Sequence, residues 1–297
     1  MKKLLFILNP YAGKAQIKNK LLQIVDIMVK EGYEVTIYPT QAAGEARSLV
    51  EQNAGGYDLI VCSGGDGTLD EAVSGMMLSG HKIPLGYIPA GSTNDFASSL
   101  KIPKDMVKAA EIAVSGRPFY CDIGMFNEKP FVYVAAFGIF TAVSYKTSQN
   151  WKNILGHAAY FLEGVKSLPE ITSYHMRVSC SEAVIEDEFI FGMITNSNSV
   201  GGFKNMTGKN VRLNDGKFEV TLIRMPKNVG ELSAILTSLT NLIDNTELIY
   251  SFKSDHVEFT SEENVSWTLD GEFGGSVREA TVCNIQQALA FMVRNKM

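Results

Sequence analysis

From residue 3 to about 118 the chain alternates short apolar runs with segments whose apolar side chains recur at helical spacing. "KLLFILN", "YEVTIYPT", "YDLIVCSGG" and "PLGYIPAG" read as strands, and "IKNKLLQIVDIMVKEG", "AGEARSLVEQNAGG", "TLDEAVSGMMLSG", "NDFASSL" and "DMVKAAEIAVSG" as the helices between them. Strands that are apolar throughout, separated by helices of about 8 to 16 residues, predict parallel β/α units. After Arg117 and Pro118 the rhythm changes. "FVYVAAFGIF", "YHMRVSC", "FIFGMITNS", "FEVTLIRM", "HVEFT" and "SWTLDGE" predict a mostly antiparallel β region, interrupted by helical segments near 153–167 and 228–243. The boundary is expected between Ile123 and Pro130, where "GMFNEKP" supplies turn residues. This gives an α/β domain over 1–125 and a β-rich domain over 126–285, with 286–297 reading equally as a strand or a helix returning to the first.

The 297 residues are 45% hydrophobic and 20% charged, the balance of an ordinary globular protein with material for two cores. The start "MKKLLFILNP" has only Leu4 to Leu8 before Asn9 and Pro10, too few for a secretory signal, and no later stretch holds the ~18 apolar residues of a membrane span. A cytoplasmic location is the expectation. Cys62, Cys121, Cys180 and Cys283 lie about 60 to 100 residues apart without a C-x-x-C pair, which predicts four reduced core thiols, not a zinc site or a disulfide framework. A net charge of -5 argues against nonspecific nucleic-acid binding. His81, His157, His175 and His256 are scattered without ligand spacing and read as surface or satisfied core histidines.

The chemistry concentrates where strands end. "VCSGGDGTLDEAVSG" is an apolar strand running through a glycine turn into a helix, so Gly64, Gly65 and Gly67 stand where bare N–H groups and the positive end of a helix dipole can meet phosphate. A tight turn needing positive φ explains the glycines as well. Asp66 cannot bind phosphate directly, because like charges repel; a bridging Mg²⁺ or a water resolves the conflict. The P-loop pattern and G-x-G-x-x-G are both absent, and so is the G-x-S-x-G of α/β-hydrolases. "NPYAG", Thr40 and "PAGSTNDFA" close the other predicted strands with small or hydroxyl residues, and four such ends on one edge predict a site. Glu272 in "SWTLDGEFGG" follows an alternating strand among Gly271, Gly274 and Gly275, with room for a substrate, although a solvated turn glutamate looks the same. "RLNDGKF" between strand-like runs reads as an ordinary hairpin turn. "NILGHAAYFLEGVKSL" places Leu155, Ala159, Leu162 and Val165 on one stripe, for core packing or for a lip against a bilayer.

The ordered set "NPYAG", "SGGDGTLDEAVSG", "IPAGSTNDFA" and "TLDGE", with residues 143–165, resembles the bacterial soluble diacylglycerol kinases, of the superfamily that includes sphingosine kinases and, more distantly, NAD kinases. GGDG is shared by the whole superfamily; the NDFA-type segment and the late DGE narrow it to the lipid kinases. The chain departs from the family in having Ser92 before Thr93, which keeps a hydroxyl. The resemblance implies an N-terminal three-layer α/β nucleotide-binding domain, NAD kinase-like, and a C-terminal antiparallel β-sandwich. It implies transfer of the γ-phosphoryl of ATP, with Mg²⁺, to the hydroxyl of diacylglycerol or another lipid alcohol. Asn9, Pro10, Gly13, Thr40, Gly64, Gly65, Asp66, Gly67, Thr68 and Ser92 would bind ATP, with Asp66 acting through Mg²⁺. Glu272 would be the general base, and Asp215, with backbone carbonyls of Arg212 and Lys217, would hold a structural Mg²⁺. The implied partner is a lipid at the inner face of a membrane, met peripherally, with a homodimer admissible.

Overall fold

The structure is a computed structural model that describes residues 1–139, 141, 171–198, 200, 211–241 and 247–295. The segments predicted from 143–165 and 153–167, with His157, lie outside these residues. The described chain is mixed α/β with a large share of β-sheet, and it divides into two compact units, Met1–Ile123 with Ile285–Met297, and Gly124–Asn284.

In the first unit β1 (Lys2–Leu8), β2 (Tyr33–Pro39), β3 (Leu59–Gly64) and β4 (Leu85–Pro89) alternate with α1 (Ile17–Lys30), α2 (Glu45–Asn53), α3 (Asp66–Ser79), α4 (Asp95–Ser99) and α5 (Met106–Ser115). The strands are parallel in the order β2-β1-β3-β4. β1 and β3 are buried almost without interruption, as strands covered on both faces must be. Helices α2 and α3 pack together, and so close that a Cβ on Gly75 would lie 2.4 Å from the Arg47 carbonyl oxygen. Helix α5 packs on β4 and α1. Its start is fixed by Asp105, whose carboxylate accepts from the Val107 and Lys108 amides at 3.0 Å.

Two strands pass from one unit into the other, β5 (Arg117–Phe126) and β13 (Glu272–Val293). The C-terminal stretch is therefore a strand. Its last apolar residues, Leu289 to Val293, are buried, and Phe291 pairs in parallel with Leu85 of β4. Within the same unit the Asp122 carboxylate accepts from the Gln287 amide at 2.8 Å.

The second unit is antiparallel. It contains β6 (Lys129–Phe131), β7 (Val134–Gly138), β8 (Tyr174–Cys180), β9 (Val184–Thr195), β10 (Phe218–Arg224), β11 (Ile249–Ser254), β12 (His256–Leu269) and one described helix, α6 (Val229–Asn241). β7 and β8 share the space between the long strands β9 and β12: β8 pairs with one half of each and β7 with the other. Trp267, fully buried, is surrounded by Phe126, Phe137 and Phe259 at ring-centroid distances of 4.9, 4.9 and 5.0 Å.

Three expectations need correction. "HVEFT" and the "SWTL" of "SWTLDGE" are one strand, β12, with "DGE" turning into β13; the pairing of β12 with β13 slips between Thr260 and Val265, where the solvated Glu262, Glu263 and Asn264 break the apolar alternation. "FVYVAAFGIF" is not one run, because the chain bends at Val132 and Tyr133 between β6 and β7. The cysteines are all free, but only Cys62 and Cys121 are fully buried; Cys283 lies partly exposed on β13.

Candidate active site

After β1 the chain crosses to β2 on one side, and after β2 it returns to β3 on the other, so strand order reverses at the β1/β3 boundary. Loops leaving these two strands part from each other and open a crevice at their carboxyl ends. Backbone bonds continue past the strands and hold the four ends together: the Asn9 amide donates to Ser63 at 2.8 Å, Thr40 to Leu8 at 2.9 Å and Ala90 to Gly64 at 2.8 Å. The crevice is a cavity of about 450 Å³.

Of the ten residues expected to bind ATP, Asn9, Gly13, Thr40, Gly65, Gly67 and Thr68 form its wall, while Pro10, Gly64, Asp66 and Ser92 do not. Two of the glycines serve different ends. Gly13 has φ +57° and a Cβ there would sit 2.2 Å from the Ala90 carbonyl oxygen, so the fold itself demands glycine. Gly67 has nothing within 4 Å of where its Cβ would stand. No part of the described chain crowds that position, so its backbone is open to the crevice. The residues beside it carry donors and hydroxyls, with Asn9 Nδ2 3.5 Å from Thr68 Oγ1. The Asn9 carboxamide oxygen accepts from the Tyr11 amide at 3.0 Å, which turns the loop after β1.

Asp66 is the first residue of α3 and stands behind the glycines. Its Oδ2 accepts from the Asn94 amide at 2.9 Å. Asn94 is 4% exposed and adopts the left-handed conformation, φ 55° and ψ 56°, which asparagine tolerates better than most residues. Its side chain locks that geometry, accepting from the Gly91 amide at 3.0 Å and from the Tyr87 hydroxyl at 3.2 Å and donating to the Gly91 carbonyl at 2.6 Å. Burial first, and then the nearby Asp66 charge, push the Tyr87 phenol well above its ordinary pKa, so it remains a hydroxyl donor.

Sequence reasoning missed several of these groups. Asn94 and the buried Asp95 lie in the quoted "NDFASSL" without having been singled out. Tyr11, Ala12, Gln41, Ala42, Ala43 and Gly91 complete the cavity wall with Glu71. Glu71 accepts from the Gly44 and Ala46 amides at 2.8 and 3.1 Å and so pins the start of α2 to α3. A glutamate inside the first turns of the helix after the glycine turn was the available signal.

In the second unit Glu272 is the first residue of β13, exposed, beside a two-residue hairpin in which Asp270 has φ 51° and Gly271 φ 90°. Positive φ at both positions is the type I′ turn that suits the strand twist, and Leu269 and Glu272 face each other across it. Asp270 is 6% exposed and its carboxylate accepts from the Val132, Tyr133 and Val134 amides at 2.6, 2.9 and 3.0 Å. That carboxylate is a clamp on the bend between β6 and β7.

Asp215 lies in the turn before β10. Its Oδ1 accepts from the Lys217 amide at 3.2 Å and its Oδ2 lies 3.3 Å from Lys253 Nζ, which also pairs with Glu219 at 2.8 Å. Burial lowers the pKa of the Lys253 ammonium, but the two carboxylates more than offset this and the net shift is upward; burial raises that of Glu219. The Asp215 carboxylate is a hard-oxygen donor of the kind Mg²⁺ takes, shared here with a lysine. Among the described residues no group of three or more histidines, cysteines and acids is close enough to cage a metal, and no helix is long and apolar enough to cross a membrane.

The diacylglycerol kinase catalytic domain family matches residues 3–126. A diacylglycerol kinase of Staphylococcus carnosus is 34% identical over 288 residues, covering 95% of this chain and 92% of that protein. One of Bacillus subtilis is 33% identical over 279 residues, covering 93% and 91%. The crystal structure of a diacylglycerol kinase from Bacillus anthracis has the same fold, with a TM-score of 0.78 at 21% identity over 99% of this chain and 97% of that one.

Proposed function

The chain belongs to the diacylglycerol kinase family, and from that premise we propose that it transfers the γ-phosphoryl group of ATP to the free hydroxyl of diacylglycerol, giving phosphatidate and ADP. The observation that supports this reading is Gly67: it lines the 450 Å³ crevice with open space where a Cβ would stand, which leaves room for a ligand against its backbone. The triphosphate lies over the Gly65 to Thr68 turn, where amides and the positive end of α3 face it. Asn9, Thr40 and Thr68 offer polar side chains along the wall, Gly13 keeps the loop close, and Pro10, Gly64 and Ser92 support the turns behind it.

Asp66 is the carboxylate that would hold Mg²⁺ there, with Asn94 fixing its Oδ2. When bound, Mg²⁺ neutralises the phosphate charge and favours departure of ADP. Glu272 accepts the proton of the attacking hydroxyl as the new O–P bond forms and the bond from the γ-phosphorus to the β,γ-bridging oxygen breaks, its electron pair leaving with ADP. Asp215, with the carbonyls of Arg212 and Lys217, would hold a second, structural Mg²⁺ in competition with Lys253. Because the acceptor resides in lipid, the reaction takes place at a membrane surface. The test is ATP consumption in mixed micelles against a panel of lipid alcohols. Phosphatidate formed fastest from diacylglycerol supports the reading; preference for phosphatidylglycerol, a sphingoid base or undecaprenol replaces the acceptor, and no turnover on any lipid overturns it.

A further inference from the structure

His256 and Cys283 stand directly opposite each other on β12 and β13. Their neighbours Val257 and Val282 are fully buried, so strand alternation turns His256, Glu258 and Cys283 to the outward face. There they form a row. His256 Nδ1 is 3.2 Å from Cys283 Sγ, and His256 Nε2 is 3.1 Å from Glu258 Oε1, whose second oxygen accepts from the Ser179 hydroxyl at 3.5 Å. The histidine and glutamate side chains are 44% and 57% exposed.

A carboxylate on Nε2 keeps the proton on that nitrogen and leaves the Nδ1 lone pair facing the thiol. This is the arrangement of a nucleophile, its base and the group that orients the base. Burial first, then the Asp255 and Glu258 carboxylates, push the Cys283 thiol up, so it rests protonated and its attack needs a base already in place. Among the described residues no other thiol is so served. Cys62 and Cys121 are fully buried, with the Cys62 thiol pushed up to about 12, and Cys180 packs against the core.

We propose that Cys283 is a thiol modification site that reacts with low-molecular-weight disulfides, with His256 as proton acceptor and Glu258 as the group that orients it. The Cys283 sulfur attacks one sulfur of the disulfide while its proton passes to Nδ1. The S–S bond breaks and the released thiolate recovers that proton, leaving a mixed disulfide on Cys283 and one free thiol. The Cys283 sulfur rises by one oxidation level as the released sulfur falls by one, so the exchange needs no other oxidant.

The experiment treats the full-length protein with glutathione disulfide and follows intact mass and peptide maps with time. One adduct is expected, on Cys283, and Cys283→Ser abolishes it. His256→Asn slows its formation at least about tenfold, and Glu258→Ala slows it by a smaller factor. An adduct on Cys180, no adduct on the native protein, or a wild-type rate in His256→Asn overturns the proposal. Should His256→Asn also expose Cys62 or Cys121, it has unfolded, and the solvent-facing Glu258→Ala decides: slowed reaction upholds the proposal and a wild-type rate rejects it.

Discussion

Asp66-Gly67 and Asp270-Gly271 are the same dipeptide, but the first opens a helix after a strand buried throughout and the second turns a hairpin after an alternating strand. Asp270 spends its two oxygens on three amides of its own chain, and its glycine serves a hairpin with positive φ. Asp66 has its Oδ2 held by Asn94, and its glycine has a normal φ and no neighbour to avoid. The fold accounts for Gly271 through its positive φ and does not account for Gly67 in that way. Asp215-Gly216 lies between them: its glycine has φ +77°, a fold requirement, while its carboxylate is shared with Lys253.

The contrast can be broken by mutation, most severely at Asp66. Asp66→Ala should lower turnover to below about 10⁻⁴ of wild type, ~5.5 kcal/mol of transition-state stabilisation. The melting temperature should fall only slightly, since the turn glycines remain; micelle assays beside a thermal melt check both, and retained turnover at ordinary Mg²⁺ would return Asp66 to the fold. Glu272→Gln keeps the side chain's size but takes no proton. A kcat loss of about 10² to 10⁴ is expected, with ATP affinity by calorimetry nearly unchanged. If affinity falls instead and kcat at saturation holds, Glu272 belongs to nucleotide binding.

Asp270→Ala should show the reverse pattern. Three buried amides lose their acceptor and alanine is left in a left-handed turn, so a loss of about 3 kcal/mol in stability is expected. Urea unfolding measures it, and a stability within a few tenths of wild type would show that the clamp contributes little. Asp215→Ala should have the smallest effect, about 1 kcal/mol without metal, because its ion pair with Lys253 is partly solvated. Mg²⁺ should raise the melting temperature of the wild type and not of this variant; equal shifts in both would remove Asp215 from the metal proposal.

How much of this was legible depended on how far apart in the chain the partners lie. β1 and β3 were readable because strands covered on both faces are apolar throughout. The glycine turn was readable because strand, turn and helix N-terminus are contiguous. The hairpin at Asp270 announced itself through Asp-Gly, but its clamp did not, since the amides it holds are more than a hundred residues upstream. Asn94 stayed hidden because a left-handed asparagine looks like any asparagine until its own side-chain bonds are seen. "ALAFMV" near the end was ambiguous because a short apolar run fits strand and helix equally. His256 and Cys283 became neighbours only through the register of β12 on β13, which no spacing within either strand encodes.

The pairing of Phe291 with Leu85 also sets a timetable for synthesis. β4 acquires β3 as a neighbour early, but its other neighbour emerges about two hundred residues later, roughly 10 to 40 s at ordinary translation speeds. Throughout that interval "LGYIP" is an apolar strand with one open edge on a growing polypeptide, a template for pairing with the wrong chain. The nascent protein therefore has a period of vulnerability whose length is the time taken to translate everything between the two strands. A ribosome that pauses within the second unit prolongs it, and arrival of the final strand ends it.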